Sequence, residues 1–187
     1  MRIRTLLLAL AACTAAASVR AAPPEGYLCC NMRTDGSWIS DSNYAEDGKR
    51  IIPFGTPVQA TGYGRYRVKV LIDGQRQEIG NDYSRDLDNE AFAHRYIVPE
   101  DPRARAAAFP AKIRQAIEGA RVTRGMTREQ VLMALGYPMS SENPDLNADI
   151  WRFWLSSFDE FQVLFDAGGK VRDVVASPTT RTRIWVD

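Results

Sequence analysis

Residues 125–138 carry a complete set of helix instructions, and these constrain the fold more than anything else in the 187-residue chain. In Gly125-Met126-Thr127-Arg128-Glu129-Gln130-Val131, the Thr127 hydroxyl is placed to accept from the third helical amide. Gln130, three positions on, is placed to reach back to the cap, and together they make a capping box. Val131, Ala134 and Leu135 then fall on one stripe, and Gly136 with Pro138 just beyond stops the helix. A stripe of that width has to be buried against another layer. The runs that follow supply one: Trp151-Arg152-Phe153-Trp154-Leu155, Phe161-Gln162-Val163-Leu164-Phe165 and residues 170–175 read as strands, the last two joined by a turn over 166–169.

A second helix is expected just before the first. Pro110 suits an opening turn, Ile113, Ala116 and Ile117 are spaced i, i+3, i+4, and Gly119 suits a left-handed C-cap. Two helices followed by a three-stranded antiparallel sheet predict an α+β layer over residues 109–187. The 181–186 tail is expected to add a strand.

The ordered series Val122, Gly125-Met126-Thr127, Gln130-Val131, Leu135-Gly136, Pro138, Trp151 and Phe153, Val163 and Phe165, then Gly169 before Val171 resembles the BamE/SmpA/OmlA family of envelope lipoproteins, over about residues 110–176. The resemblance implies a small two-helix, three-strand domain without a catalytic centre, among outer-membrane accessory proteins facing the periplasm. It also implies work by protein contact. Similarity of that fold to β-lactamase-inhibitor-type domains adds inhibition of a secreted enzyme as an alternative.

Residues 27–98 read as β structure. Tyr66, Val68, Val70 and Ile72 alternate with Arg67, Lys69 and Leu71, and Asp73-Gly74 predicts a two-residue hairpin into Gln77, Glu78 and Ile79. Prolines and glycine around Ile51 to Val58 predict a turn into a second strand over residues 57–62. Residues 27–32 and 94–98 are the expected flanking strands, and 34–50 and 82–92 the expected loops. The pattern suggests a small barrel, and the Gly55-Thr56-Pro57-Val58 turn before a hairpin is similar to bacterial SH3-like domains, which implies peptidoglycan binding as an alternative function. Residues 99–108, with Pro99, Pro102 and four alanines, read as a connector with a short helical turn.

Residues 1–21 read as an export signal: Arg2 and Arg4, an apolar run over 6–12, then small residues. Leu10-Ala11-Ala12-Cys13 matches a lipobox, which would lipidate Cys13 and tether the chain to the outer membrane. Val19 and Ala21 equally suit an ordinary signal-peptidase site and a soluble periplasmic protein. The chain has 24 Lys plus Arg against 23 Asp plus Glu; cleavage after Ala21 removes Arg2, Arg4 and Arg20, leaving 21 basic against 23 acidic residues. These spread evenly, 9 against 10 over residues 27–98 and 12 against 12 over 99–187, so no broad basic field invites nucleic acid.

Candidate chemistry is sparse. Cys29 and Cys30 are adjacent and form a candidate redox pair in an oxidising compartment, against a reading of one buried and one surface thiol. His94, the only imidazole, could pair with either thiol, but no catalytic-cysteine pattern surrounds them, and no enzyme is expected. Asp82, Asp86, Asp88 and Glu90 lack EF-hand spacing and read as a solvated loop. No metal and no cofactor is called for. Trp154, on the strand face opposite Trp151 and Phe153, is a candidate partner contact or a packing residue. Trp38, expected in a loop, is a candidate peptide or glycan anchor or a core residue.

Overall fold

The computed structural model describes residues 23–46 and 48–187. The export segment with Cys13 and its alternative cleavage site lies outside the described residues.

The N-terminal part begins with β1 (Glu25–Leu28), β2 (Met32–Thr34), β3 (Trp38–Ser40), β4 (Arg50–Ile52), β5 (Pro57–Gly64), β6 (Arg67–Ile72) and β7 (Gln75–Gly80). Helix α1 (Asn89–Tyr96) and β8 (Ile97–Val98) follow. Six strands form one sheet in the order β3-β7-β6-β5-β1-β8, while β2 and β4 pair separately. The expected hairpin is present: Ile72 faces Gln75, and Asp73 and Gly74 both have positive φ, 49° and 75°, as a type I′ turn requires. Alternation along β6 buries Val68, Val70 and Ile72 with Leu28, Ile39, Ile79, Phe92 and Tyr96 in one cluster.

The predicted strand over 27–32 breaks at Cys29, and the two halves join different sheets. The loop over 34–50 contains β3, so Trp38 sits on a strand, parallel to β7. The strand expected over 57–62 runs on through Tyr63 to Gly64. His94 lies on α1, not on a strand: Asp88 Oδ1 accepts from the Ala91 amide at 2.8 Å and starts the helix inside the predicted loop. Phe92 and Tyr96, one turn apart with ring centroids at 5.0 Å, dock it on the sheet.

The C-terminal part contains α2 (Pro102–Ala106), α3 (Ala111–Glu118), β9 (Val122–Thr123), α4 (Arg128–Leu135), β10 (Ile150–Ser156), β11 (Asp159–Phe165), β12 (Val171–Val175), α5 (Pro178–Ile184) and β13 (Trp185–Val186). The antiparallel order β10-β11-β12 is as expected, and both capping-box hydrogen bonds of α4 form. The connector does hold a helical turn, α2, but Ala106 is buried in the second core, so the segment is part of the packing. Gly119 has φ −81°; the left-handed residue ending α3 is Ala120, φ 50°. Its amide bonds the Ile117 carbonyl and the Arg121 amide bonds the Ala116 carbonyl, a Schellman close with alanine in glycine's usual place. The 181–186 tail is mostly helix, and only Trp185 and Val186 add a strand, parallel to β9. The fold is α+β, and no helix among the described residues is long and apolar enough to cross a membrane.

Candidate functional site

The residues that carried the sequence pattern are structural. Met126, Val131, Trp151, Phe153, Val163 and Phe165 are buried together, with Trp151 against Phe165 at 4.9 Å between centroids. Thr127 and Gln130 cap α4, Pro138 is buried just past its end, and Gly125 has the positive φ of a turn. Gly136 has a dual reason: φ is 81°, and the Asn43 side-chain nitrogen lies 3.1 Å from where a Cβ would stand, a tight approach.

That approach belongs to a seam between the two cores, built by two asparagines the sequence reading did not single out. Asn31 Nδ2 donates to the Ile117 carbonyl at the end of α3 at 2.6 Å and to the Ala134 carbonyl at the end of α4 at 3.2 Å. The Asn31 amide bonds the Met133 carbonyl at 3.0 Å, and its Oδ1 accepts from Phe54 N–H at 3.0 Å. Asn43 Nδ2 donates to the Leu135 carbonyl at 2.7 Å and to the Asn31 carbonyl at 3.1 Å. Of the last-turn carbonyls that a helix leaves without partners, those of Ala134 and Leu135 are thus satisfied by side chains from the other half of the chain, and that of Ile117, already bonded by the Ala120 amide, gains a second donor. Tyr96 and Tyr137 pack edge-on across the same seam.

The outer face of the β10-β11-β12 sheet is a candidate contact surface. Register places Ile150 opposite Leu164, Arg152 opposite Gln162, Gln162 opposite Val175, and Trp154 opposite Glu160. Ile150 is 51% exposed, Val175 54%, and Phe158, in the β10-β11 turn, 94%. Arg152 and Glu160 pair across the middle at 3.0 Å. Trp154 is half-buried, with Nε1 donating to Glu142 Oε2 at 2.8 Å, which fixes the ring at the margin of the apolar area.

Trp38 is half-buried instead of standing free. The Arg67 guanidinium covers its ring at 4.1 Å and is itself held by Asp82 at 2.9 Å. The ring borders a cavity of about 620 Å³ with Thr61, Lys69 and Arg76.

Cys29 and Cys30 are joined as a vicinal disulfide between β1 and β2, Cys30 buried and Cys29 partly exposed. Their sulfurs are therefore bonded to each other, and His94 is exposed on α1, so no thiol-imidazole dyad is assembled. The acidic loop is dispersed: Asp82 pairs with Arg67, Asp86 accepts from the Ser140 hydroxyl, and Asp88 caps α1. No cluster of three metal-ligating side chains occurs among the described residues. No protein-family model, curated protein or solved structure matches the chain, so the arrangement of its own residues carries the functional reading.

Proposed function

We propose that the chain is an exported, non-enzymatic cell-envelope protein, resembling the outer-membrane assembly factor BamE in its C-terminal part. In this reading it acts by contact with another envelope protein through the outer face of the β10-β11-β12 sheet. The observation that carries it is the exposure of Ile150 and Val175 on the outer face of that sheet and of Phe158 in the β10-β11 turn at its end, with Trp154 and the Arg152-Glu160 pair between them. An apolar area rimmed by polar groups and an aromatic anchor is the composition of a contact surface. By contrast the N-terminal tryptophan, Trp38, is capped by Arg67. Attachment to the outer membrane through Cys13, or release as a soluble periplasmic form after Ala21, is part of the proposal, and the intact mass of the mature protein separates the two.

The test places a photoreactive phenylalanine analogue at position 158 of the exported full-length chain. The expected result is an adduct with one envelope protein, weakened by Trp154→Ala and not formed when the analogue stands at position 76. No protein adduct from position 158, together with co-sedimentation of the purified chain with peptidoglycan, would overturn this reading in favour of the Trp38 cavity of an SH3-like module.

A further inference from the structure

Four cations from four separate stretches of sequence meet at one open cavity of about 410 Å³ on the seam: Arg33 of β2, Lys49 just before β4, Arg121 just after α3 and Arg183 of α5. Glu46 is the carboxylate among the described lining residues, and Lys49 occupies it, Nζ to Oε2 at 3.3 Å. Asp47 lies outside the described residues.

The two best-positioned cations are fixed by one loop. Arg33 donates to the Asn43 carbonyl at 3.2 Å and Arg183 donates to the Ala45 carbonyl at 2.9 Å, so the guanidiniums are anchored close together from opposite halves of the protein. A guanidinium has five N–H donors, and each of these spends one on that backbone. Among the described residues no carboxylate pairs with Arg33, Arg121 or Arg183. Burial, and then the charge of Arg183, pull the Arg33 pKa down to about 10. Like charges held together at a half-buried position are unfavourable unless an anion joins them.

We propose that this cavity binds a phosphate group, either inorganic phosphate or the phosphomonoester of a lipid headgroup, with Arg33 and Arg183 as forked donors and Arg121 and Lys49 as the outer cations. Arginine forks match the oxygen geometry of phosphate, and the cavity has the volume of a small-ligand site. The four cations surround one small cavity, so the fit is to a compact anion and not to a polyanion. The inference is independent of the protein-contact surface on the β10-β11-β12 sheet.

Thermal unfolding of the full chain in sodium phosphate, against sodium chloride at the same ionic strength, is the first measurement. Inorganic phosphate at about ten times its Kd is expected to raise Tm by about 3 to 5 °C. The double variant Arg121→Gln with Arg183→Gln removes exposed side chains and leaves the half-buried Arg33 in place. It is expected to fold, with a phosphate-free Tm within about 3 °C of the parent because relief of the charge on Arg33 offsets loss of the hydrogen bond from Arg183 to the Ala45 carbonyl, and to bind phosphate at least about tenfold more weakly. Arg121→Gln alone serves if the pair fails to fold. An equal shift in chloride, or an unchanged phosphate shift in the variant, would overturn the proposal. Sedimentation with phosphatidylcholine vesicles, with and without phosphatidic acid, identifies the source: binding that needs phosphatidic acid and is displaced by inorganic phosphate assigns a headgroup, and a phosphate shift without vesicle binding assigns the free ion.

Discussion

The Asn31 side-chain nitrogen lies 2.6 Å from the Ile117 carbonyl, and this contact ties the N-terminal sheet to the end of α3. With the second bond to Ala134, one amide group satisfies the last turns of two helices in a buried setting. Asn31→Ala leaves both carbonyls and the Phe54 amide without that partner, so a loss of about 2 to 4 kcal/mol is expected in urea unfolding. Asn31→Asp retains the acceptor but removes both donors, and is expected to be no better than alanine. Loss of under about 0.5 kcal/mol for both would mean that the seam does not hold the halves together.

The α4 cap is a smaller and more local contribution. Thr127 Oγ1 accepts from the Gln130 amide at 3.3 Å and Gln130 Oε1 accepts from the Thr127 amide at 2.9 Å. Thr127→Ala is expected to cost about 1 kcal/mol, and Thr127→Ser a few tenths at most, about 0.3 kcal/mol. Equal losses for the two would show that the Thr127 methyl, not its hydroxyl, matters.

These two features also mark how far sequence reading reached. The α4 cap, its stop at Gly136 and the Asp73-Gly74 hairpin are local signals: each partner lies within a few residues, so spacing alone specifies them. Asn31 bonds residues 86 and 103 positions away, and a lone asparagine has no periodicity to announce such a role. The cavity cations were invisible for the same reason, since an even charge count along the chain says nothing about Arg33 meeting Arg183. Helix α1 was missed because only two turns form; Phe92, Ala93 and Tyr96 are its buried residues, and Tyr96 leads directly into the short strand at Ile97. Asp88 was the available clue, read as part of an acidic loop when it was a cap.

Asp41 sets a pH dependence of known sign. It is buried, and that burial pushes its carboxyl above the ordinary value of 3.8 against the opposing hydrogen bond from the Tyr83 amide at 2.9 Å. The folded state therefore keeps the Asp41 proton to higher pH than the unfolded chain does. Its contribution is most favourable below the unfolded value and falls as pH rises through the carboxylate range, to a constant cost above the folded value. Asp35, Asp101 and Asp173 are shifted downwards and act in the opposite sense, so the comparison must be with Asp41→Asn. The variant keeps an acceptor for Tyr83, and its stability relative to the parent is expected to improve from acid to neutral pH. A difference that stays flat from pH 3 to pH 7, within the range where carboxylates titrate, would contradict the assignment.

The vicinal cysteines allow burial to be separated from bonding. Either Cys29→Ser or Cys30→Ser removes the same disulfide, so the difference between the two variants reports what each side chain packs against. Cys30 is fully buried in the N-terminal core beside Leu28, Met32 and Phe92, where a serine hydroxyl has to be desolvated. Cys29 is partly exposed, and its hydroxyl replacement keeps contact with water. Cys30→Ser is thus expected to be less stable than Cys29→Ser by about 1 to 3 kcal/mol in urea unfolding under oxidising conditions. Treating the parent with a reductant supplies the reference in which both thiols are free. If the two serine variants unfold at the same urea concentration, the core around Cys30 is wetter than its burial implies, and bond loss alone accounts for both.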